Sequence, residues 1–222
     1  MELTLMQKKY TIALFDVDGT IVTLDGVIRA VQETLAHYEL KAMSNRDIVH
    51  RFMGHLIRDE LPVIYPHIGS RIDEIVAYYS KIFVDKHKKF EEIQPYVREI
   101  FRDLKRNGIA IGIVTTKGRQ EALAVLEDYN LPYDALVSNN DVRRIKPNAE
   151  PITKALEELG RPRPRETIMI GDHIFDMMAA KSAGCDCAGV LTGASTRDEL
   201  KKAGADYIIN NLSELPRVMG LP

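Results

Sequence analysis

The chain has 222 residues, 45% of them hydrophobic, and 30 Lys and Arg against 32 Asp and Glu give a net charge of −2. This composition supports a buried core, excludes a disordered chain and lacks the basic excess of a nucleic-acid binder. No apolar run approaches the ~18 residues of a membrane span, and residues 1–10 lack the basic-then-apolar layout of a secretory leader, so a cytoplasmic monomer or homodimer with no membrane partner is expected.

Strand-length apolar runs recur at residues 11–15, 109–114, 135–137, 167–170, 187–191 and 207–209. Most are short, continuous and bounded by Gly, Asp or Pro, as in parallel strands buried on both faces. After the first run the alternation stops. From 25 to 94 the periodicity is helical, with helices expected over 27–38, 45–53 and 71–88, the last carrying Ile72, Ile75, Val76, Tyr79 and Phe83 on one face. The basic run Lys86-His87-Lys88-Lys89 suits a helix C-terminus better than a binding patch. Alternation then resumes. Pro95 opens a helix over 95–106, followed by 118–129, 151–159 and 174–183; Thr196 and Glu199 form a capping box for 200–203. The two cysteines, Cys185 and Cys187, flank one residue and face opposite sides of a strand, so a disulfide is disfavoured. The pattern predicts an α/β chain: a three-layer Rossmann-like core with a mainly parallel sheet, plus an all-helical insertion after the first strand.

The chemistry is carried by acids at predicted strand ends, where open parallel sheets bind ligands. Phe15-Asp16-Val17-Asp18-Gly19-Thr20 places two carboxylates directly after the first strand. Groups this close repel unless a cation or a donor compensates, and a magnesium ion prefers oxygen ligands of this kind. An EF-hand calcium loop is excluded, because its twelfth position, counted from Asp16, is Val27 rather than Glu. A second pair, Asp172 and Asp176, follows the strand at 167–170, where helix N-capping is the ordinary use of Asp. Thr115, at the end of another strand, offers a hydroxyl, and Lys146 a balancing ammonium.

In this order the motifs resemble the haloacid dehalogenase-like superfamily. They are Asp16-Val17-Asp18-Gly19-Thr20, Ile113-Val114-Thr115-Thr116-Lys117, Lys146-Pro147-Asn148-Ala149-Glu150-Pro151 and Gly171-Asp172-His173-Ile174-Phe175-Asp176-Met177. The resemblance implies that Asp16 attacks phosphorus and forms an aspartyl-phosphate, while Asp18 serves as general acid and then base. It implies phosphate contacts from Gly19, Thr115, Thr116 and Lys146. Mg2+ would be held by Asp16, by Asp18 through its carbonyl and by Asp172, with Asp176 direct or one step removed. Asp18 disfavours the dehalogenases and phosphonate-cleaving members, which lack that second acid.

Asp16 and Thr115 are 99 positions apart, Thr115 and Lys146 only 31. The resemblance therefore makes 25–94 a helical cap domain and assigns 1–24 and 95–222 to the catalytic core. Within the superfamily the chain looks like the phosphoglycolate phosphatase branch, in which a cap loop with basic residues around a Gly reads the substrate; here Arg51, Gly54 and His55 are the candidates. Arg143, Arg144 and His173 lie near motifs without an assigned role. Thr23-Leu24 and Thr116 depart from the commonest family pattern without removing a catalytic group. The expected function is a Mg-dependent phosphatase of a small phosphorylated metabolite, with 2-phosphoglycolate the first substrate to try. The alternatives are phosphoryl transfer as in beta-phosphoglucomutases, inorganic pyrophosphatase activity, and a non-catalytic phosphometabolite-binding protein.

Overall fold

Six apolar segments form the sheet of the computed structural model, which describes residues 10–221. The reading that residues 1–10 carry no secretory leader lies, but for its last residue, outside them. The strands are β1 (Ile12–Phe15), β2 (Ala110–Val114), β3 (Ala135–Val137), β4 (Thr167–Gly171), β5 (Asp186–Val190) and β6 (Tyr207–Ile209). All pair in parallel in the order β3-β2-β1-β4-β5-β6. All six strands expected from the sequence are present, within one residue at each end.

Alternating side chains divide the core. Ala13 and Phe15 face one side, where they meet helix α5 (Val97–Arg106) and the C-terminal helix α10 (Leu215–Met219). Ile12 and Leu14 face the other, against α7 (Glu150–Glu158), α8 (Ile174–Ala183) and α9 (Arg197–Lys202). Helix α6 (Arg119–Asp128) packs its Ala122, Val125 and Leu126 into the first of these cores. No helix among the described residues is long and apolar enough to cross a membrane.

Between β1 and α5 lie α1 (Asp25–His37), α2 (Asn45–Phe52), α3 (Ile57–Ile64) and α4 (Ile72–Ile82), with no strand among these residues. The segment leaves and re-enters the sheet through a narrow neck. Val22 and Ile93 form an antiparallel bridge, Thr23 N–H donates to the Glu92 carbonyl (2.9 Å) and Gln94 N–H to the Ile21 carbonyl (2.8 Å).

Several boundaries differ from the sequence expectation. Helix α3 was not anticipated, because Pro62 within it reads as a breaker. The expected helix over 71–88 stops at Ile82 and gives way to a π turn at Phe83–His87 and a short 3-10 turn at Lys88–Phe90. Helix α5 begins two residues after Pro95, because Tyr96 adopts the left-handed conformation (φ 70°). Helix α9 starts earlier than its apolar residues suggest, directly at the Thr196 cap.

Candidate active site

Register brings the acids together. Phe15 pairs with Ile113 on one side and Ile170 on the other, so β1, β2 and β4 end level with one another. Chain order reverses at β1, which opens a crevice there. Asp16, Asp172 and Asp176 each bring a carboxylate oxygen into a group whose members lie within 4.8 Å of one another, and all three residues are buried.

Lys146 ties two of them. Its Nζ donates to Asp16 Oδ1 (2.8 Å), Asp176 Oδ1 (2.6 Å) and the Val114 carbonyl (3.0 Å), which uses the three donors of an ammonium. Burial opposes the charge on Lys146, but Asp16 and Asp176 outweigh it and hold the ammonium above its ordinary pKa. Asp176 also performs the capping role expected of an Asp at this place, since its Oδ2 accepts from His173 N–H (3.0 Å). Burial pushes Asp176 up to about 6 against the pull of Lys146, with Asp16 adding to the rise.

Asp172 has no cationic partner among the described residues. Its Oδ1 accepts from the Thr20 hydroxyl (3.0 Å) and its Oδ2 from Ala194 N–H (2.7 Å). Burial, then Asp16 and Asp176, raise it well above the usual carboxylate range. A divalent cation bound among these oxygens would offset that repulsion, and an all-oxygen donor set suits magnesium. Backbone is fitted closely around this carboxylate. A Cβ on Gly19 (φ +80°) would lie 2.4 Å from Asp172 Oδ2, and one on Gly193 only 1.9 Å from it.

Asp18 stands in a second buried group. Lys117 Nζ donates to Asp18 Oδ1 (2.6 Å) and Glu91 Oε1 (3.1 Å), and lies 4.0 Å from the Phe83 ring centroid. Burial pushes Glu91 up to about 8 against the pull of Lys117, with Asp18 adding to the rise. Burial likewise raises Asp18, again against Lys117. The Thr115 hydroxyl oxygen, buried at the end of β2, accepts from Lys117 N–H (3.1 Å).

Above these groups lies a cavity of about 660 Å³. Asp16, Asp18, Lys146, Asp172 and Asp176 line it from the sheet, Thr116, Lys117 and Arg119 from one rim, and Gly54, His55 and Arg58 from the inserted helices. The expected residues do not all converge. Arg51 is exposed and does not line the cavity, and Thr115 and Gly19 lie beneath its wall rather than on it. Arg143 and Arg144 are exposed; Arg143 N–H and the Arg144 side chain both turn to Glu150. His173 does reach the cavity, and burial, then Lys146, lowers it to about 4, so its ring is neutral near pH 7. Its imidazole packs 4.7 Å from the Phe175 ring, whose other neighbour is His55 at 5.0 Å.

Sequence reading missed Glu91, the role of Lys117 and the loop after β5. Lys117 closes the second motif, and its place one turn past the end of β2 is a usable signal. Glu91, in Phe90-Glu91-Glu92, reads like any solvated acid. In the loop after β5, Thr192 Oγ1 donates to the Gly19 carbonyl (2.7 Å) and Ser195 N–H to the Asp172 carbonyl (3.1 Å). The compact residues Gly193, Ala194 and Ser195 were its only sequence mark.

Comparison with known proteins agrees with this geometry. Residues 13–190 match the model of the haloacid dehalogenase-like hydrolase family. Pyrophosphatase PpaX of Bacillus mycoides (strain KBAB4) is 32% identical over 213 residues, covering 93% of this chain and 95% of the relative. A haloacid dehalogenase-like hydrolase from Bacteroides fragilis superposes with a TM-score of 0.83 at 27% identity, over 93% of this chain and 100% of the other. A predicted phosphoglycolate phosphatase from Haemophilus somnus 129pt shares the fold, with a TM-score of 0.84 at 18% identity over 96% of this chain and 99% of the other. The family match spans residues 13–190 and contains all four motifs, and the chain belongs to the haloacid dehalogenase-like hydrolases.

Proposed function

We propose that the protein is a magnesium-dependent phosphatase acting on a small substrate whose leaving group is itself anionic, with pyrophosphate and 2-phosphoglycolate as the first substrates to test. The observation that carries this reading is the buried set of Asp16, Asp172 and Asp176, bridged by Lys146 at the floor of the cavity. Bound magnesium would be held by Asp16, Asp172 and the Asp18 carbonyl, and would neutralise phosphoryl oxygens as charge builds on them.

The chain's own groups supply the rest. Asp16 attacks phosphorus, the bond to the leaving oxygen breaks, and an aspartyl-phosphate forms. Asp18 gives its proton to the leaving oxygen and then takes one from the water that cleaves the acyl phosphate. Lys146 keeps Asp16 in line and, with Thr116, forms the phosphate-binding region at the cavity surface, backed by Gly19 and Thr115 beneath it. Segment 25–94, joined to residues 1–24 and 95–222 through the neck at Val22 and Ile93, acts as the cap and excludes water from the cavity.

Two features support an anionic leaving group. The PpaX relative is named a pyrophosphatase. In the cavity wall, Arg119 Nη1 is fixed by Asp141 (2.6 Å) and the Leu136 carbonyl (3.2 Å), whereas its Nε and Nη2 donate to no group among the described residues. A guanidinium fixed on one side and free on the other suits a phosphate or carboxylate. From the cap side, Gly54 and His55 shape the opposite wall.

Phosphate release should therefore require magnesium, be lost on chelation, and favour pyrophosphate and 2-phosphoglycolate over sugar monophosphates. Isomerised sugar phosphate without net phosphate release would instead indicate a mutase, and ligand binding without any turnover would indicate a binding protein. Magnesium alone should raise the melting temperature. At 100 times its Kd the stabilisation is about 2.7 kcal/mol, or roughly 5–10 °C for a chain of this size. Differential scanning fluorimetry of wild-type protein with and without magnesium reads this directly, and an unchanged midpoint at saturating metal would contradict it.

A further inference from the structure

Glu91 is an unusual residue to find where it is. It is fully buried, and its Oε2 accepts from no donor among the described residues. Its Oε1 accepts from Lys117, its carbonyl accepts from the Tyr129 hydroxyl, and the chain is built closely around it: a Cβ on Gly26 would lie 2.4 Å from Glu91 Cγ. An acid buried this fully is costly to keep unless it serves a partner. That partner is Lys117, also buried, whose other side-chain contacts are Asp18 and the face of Phe83.

The origins of these contacts matter. Asp18 belongs to the loop after β1. Phe83 belongs to the π turn that ends α4, and Glu91 to the stretch re-entering the core beside the Val22–Ile93 bridge. Lys117 is thus the point where the inserted helices and the segment leaving them touch the side chain of Asp18. With both carboxylates in place, the ammonium is drawn in two directions and its position is fixed between them. With one removed, it has only Asp18 to follow.

We propose that Glu91 is a positioning residue: by accepting from Lys117 it fixes the ammonium, and through the ammonium it sets where the Asp18 carboxylate stands for proton transfer. This rests on the reading of Asp18 as the proton carrier. Glu91 touches no substrate. It acts through Lys117, and it makes the placement of Asp18 depend on the seating of segment 25–94.

The test compares Glu91→Gln, which keeps an acceptor oxygen and the side-chain volume, with Glu91→Leu, which keeps volume only. Steady-state kinetics on the best substrate from the magnesium screen should show Glu91→Leu lowering kcat about 10- to 100-fold, within the range of general acid–base effects, with KM changed less than about threefold. Glu91→Gln should stay within about threefold of wild-type kcat. In a Lys117→Met background, itself impaired, adding Glu91→Leu should change kcat by less than about twofold, because the route through the ammonium is already gone. That comparison removes both partners of the buried pair and stays readable even if the single Leu variant does not fold. Equal losses in Gln and Leu, a kcat unaffected by Leu, or a full further loss in the Lys117→Met background would each overturn the proposal. Asp18→Asn separates this from the underlying reading. Near-wild-type turnover there would overturn the role of Asp18 itself, whereas a large loss there with an unaffected Glu91→Leu would overturn only the role of Glu91.

Discussion

Asp16→Asn is expected to lower kcat by at least about 10³-fold, the scale on which loss of a covalent nucleophile is felt, while leaving the protein folded. The amide has the shape of the carboxylate and can still accept from Lys146 through its carbonyl oxygen, so the 2.8 Å contact has a successor. What it lacks is an anionic oxygen able to attack phosphorus. Removing one negative charge from three crowded carboxylates also relieves repulsion in the metal-free protein. The melting temperature without magnesium should therefore hold or rise as activity disappears. Phosphate-release kinetics together with a thermal melt separate loss of chemistry from loss of structure. Turnover near the wild-type rate would remove Asp16 from the mechanism.

Lys146→Met should damage both activity and stability. Lys146 is buried, and its ammonium is the sole cation bonded to Asp16 and Asp176 among the described residues. Methionine fills similar volume but leaves two buried carboxylates unpaired and the Val114 carbonyl without this donor. Breaking one side of a buried ion pair costs about 3–5 kcal/mol, a large share of the ~5–15 kcal/mol that holds a typical domain together. Activity should fall by about 10²–10³-fold, comparable to losing a preorganised donor at a charged transition state. Added magnesium should restore part of the stability, because a bound cation answers the same uncompensated charge. Lys146→Arg should not restore activity, since a planar guanidinium cannot place three donors where the ammonium places them. Urea unfolding of the variant with and without magnesium measures the effect, and a variant as stable as wild type in metal-free buffer would contradict this account of Lys146.

What could be read in advance follows from the range of the interactions. Each strand is a contiguous apolar run; Asp16 and Asp172 are legible because each follows such a run, and Lys146 because it directly precedes Pro147 downstream of one. Parallel register then does the rest: once Phe15 is level with Ile113 and Ile170, the strand-end residues must meet. The helical nature of 25–94 was legible from periodicity, but its internal breaks were not. Helix α3 keeps its Pro62, and the turn at Phe83–His87 holds Phe83 against Lys117 rather than continuing a regular helix. Glu91 and Lys117 are 26 positions apart and meet only because the neck returns the chain beside β1. Nothing local distinguishes Glu91 from the exposed Glu92 next to it. Arg51 and His55 looked equivalent as basic residues flanking Gly54, yet the helix turns Arg51 to solvent and the following loop turns His55 to the cavity.

The central claim is that a phosphoryl group passes through Asp16. The direct measurement is rapid acid quench of the enzyme during turnover of pyrophosphate or 2-phosphoglycolate with magnesium, followed by borohydride reduction and peptide mass analysis. An acyl phosphate on Asp16 is reduced to homoserine, so the account predicts that change at position 16 in wild-type enzyme, dependent on substrate and magnesium, and its absence in Asp16→Asn. Sustained phosphate release with position 16 unmodified at every quench time, or the modification found on Asp172 or Asp176 instead, would contradict it.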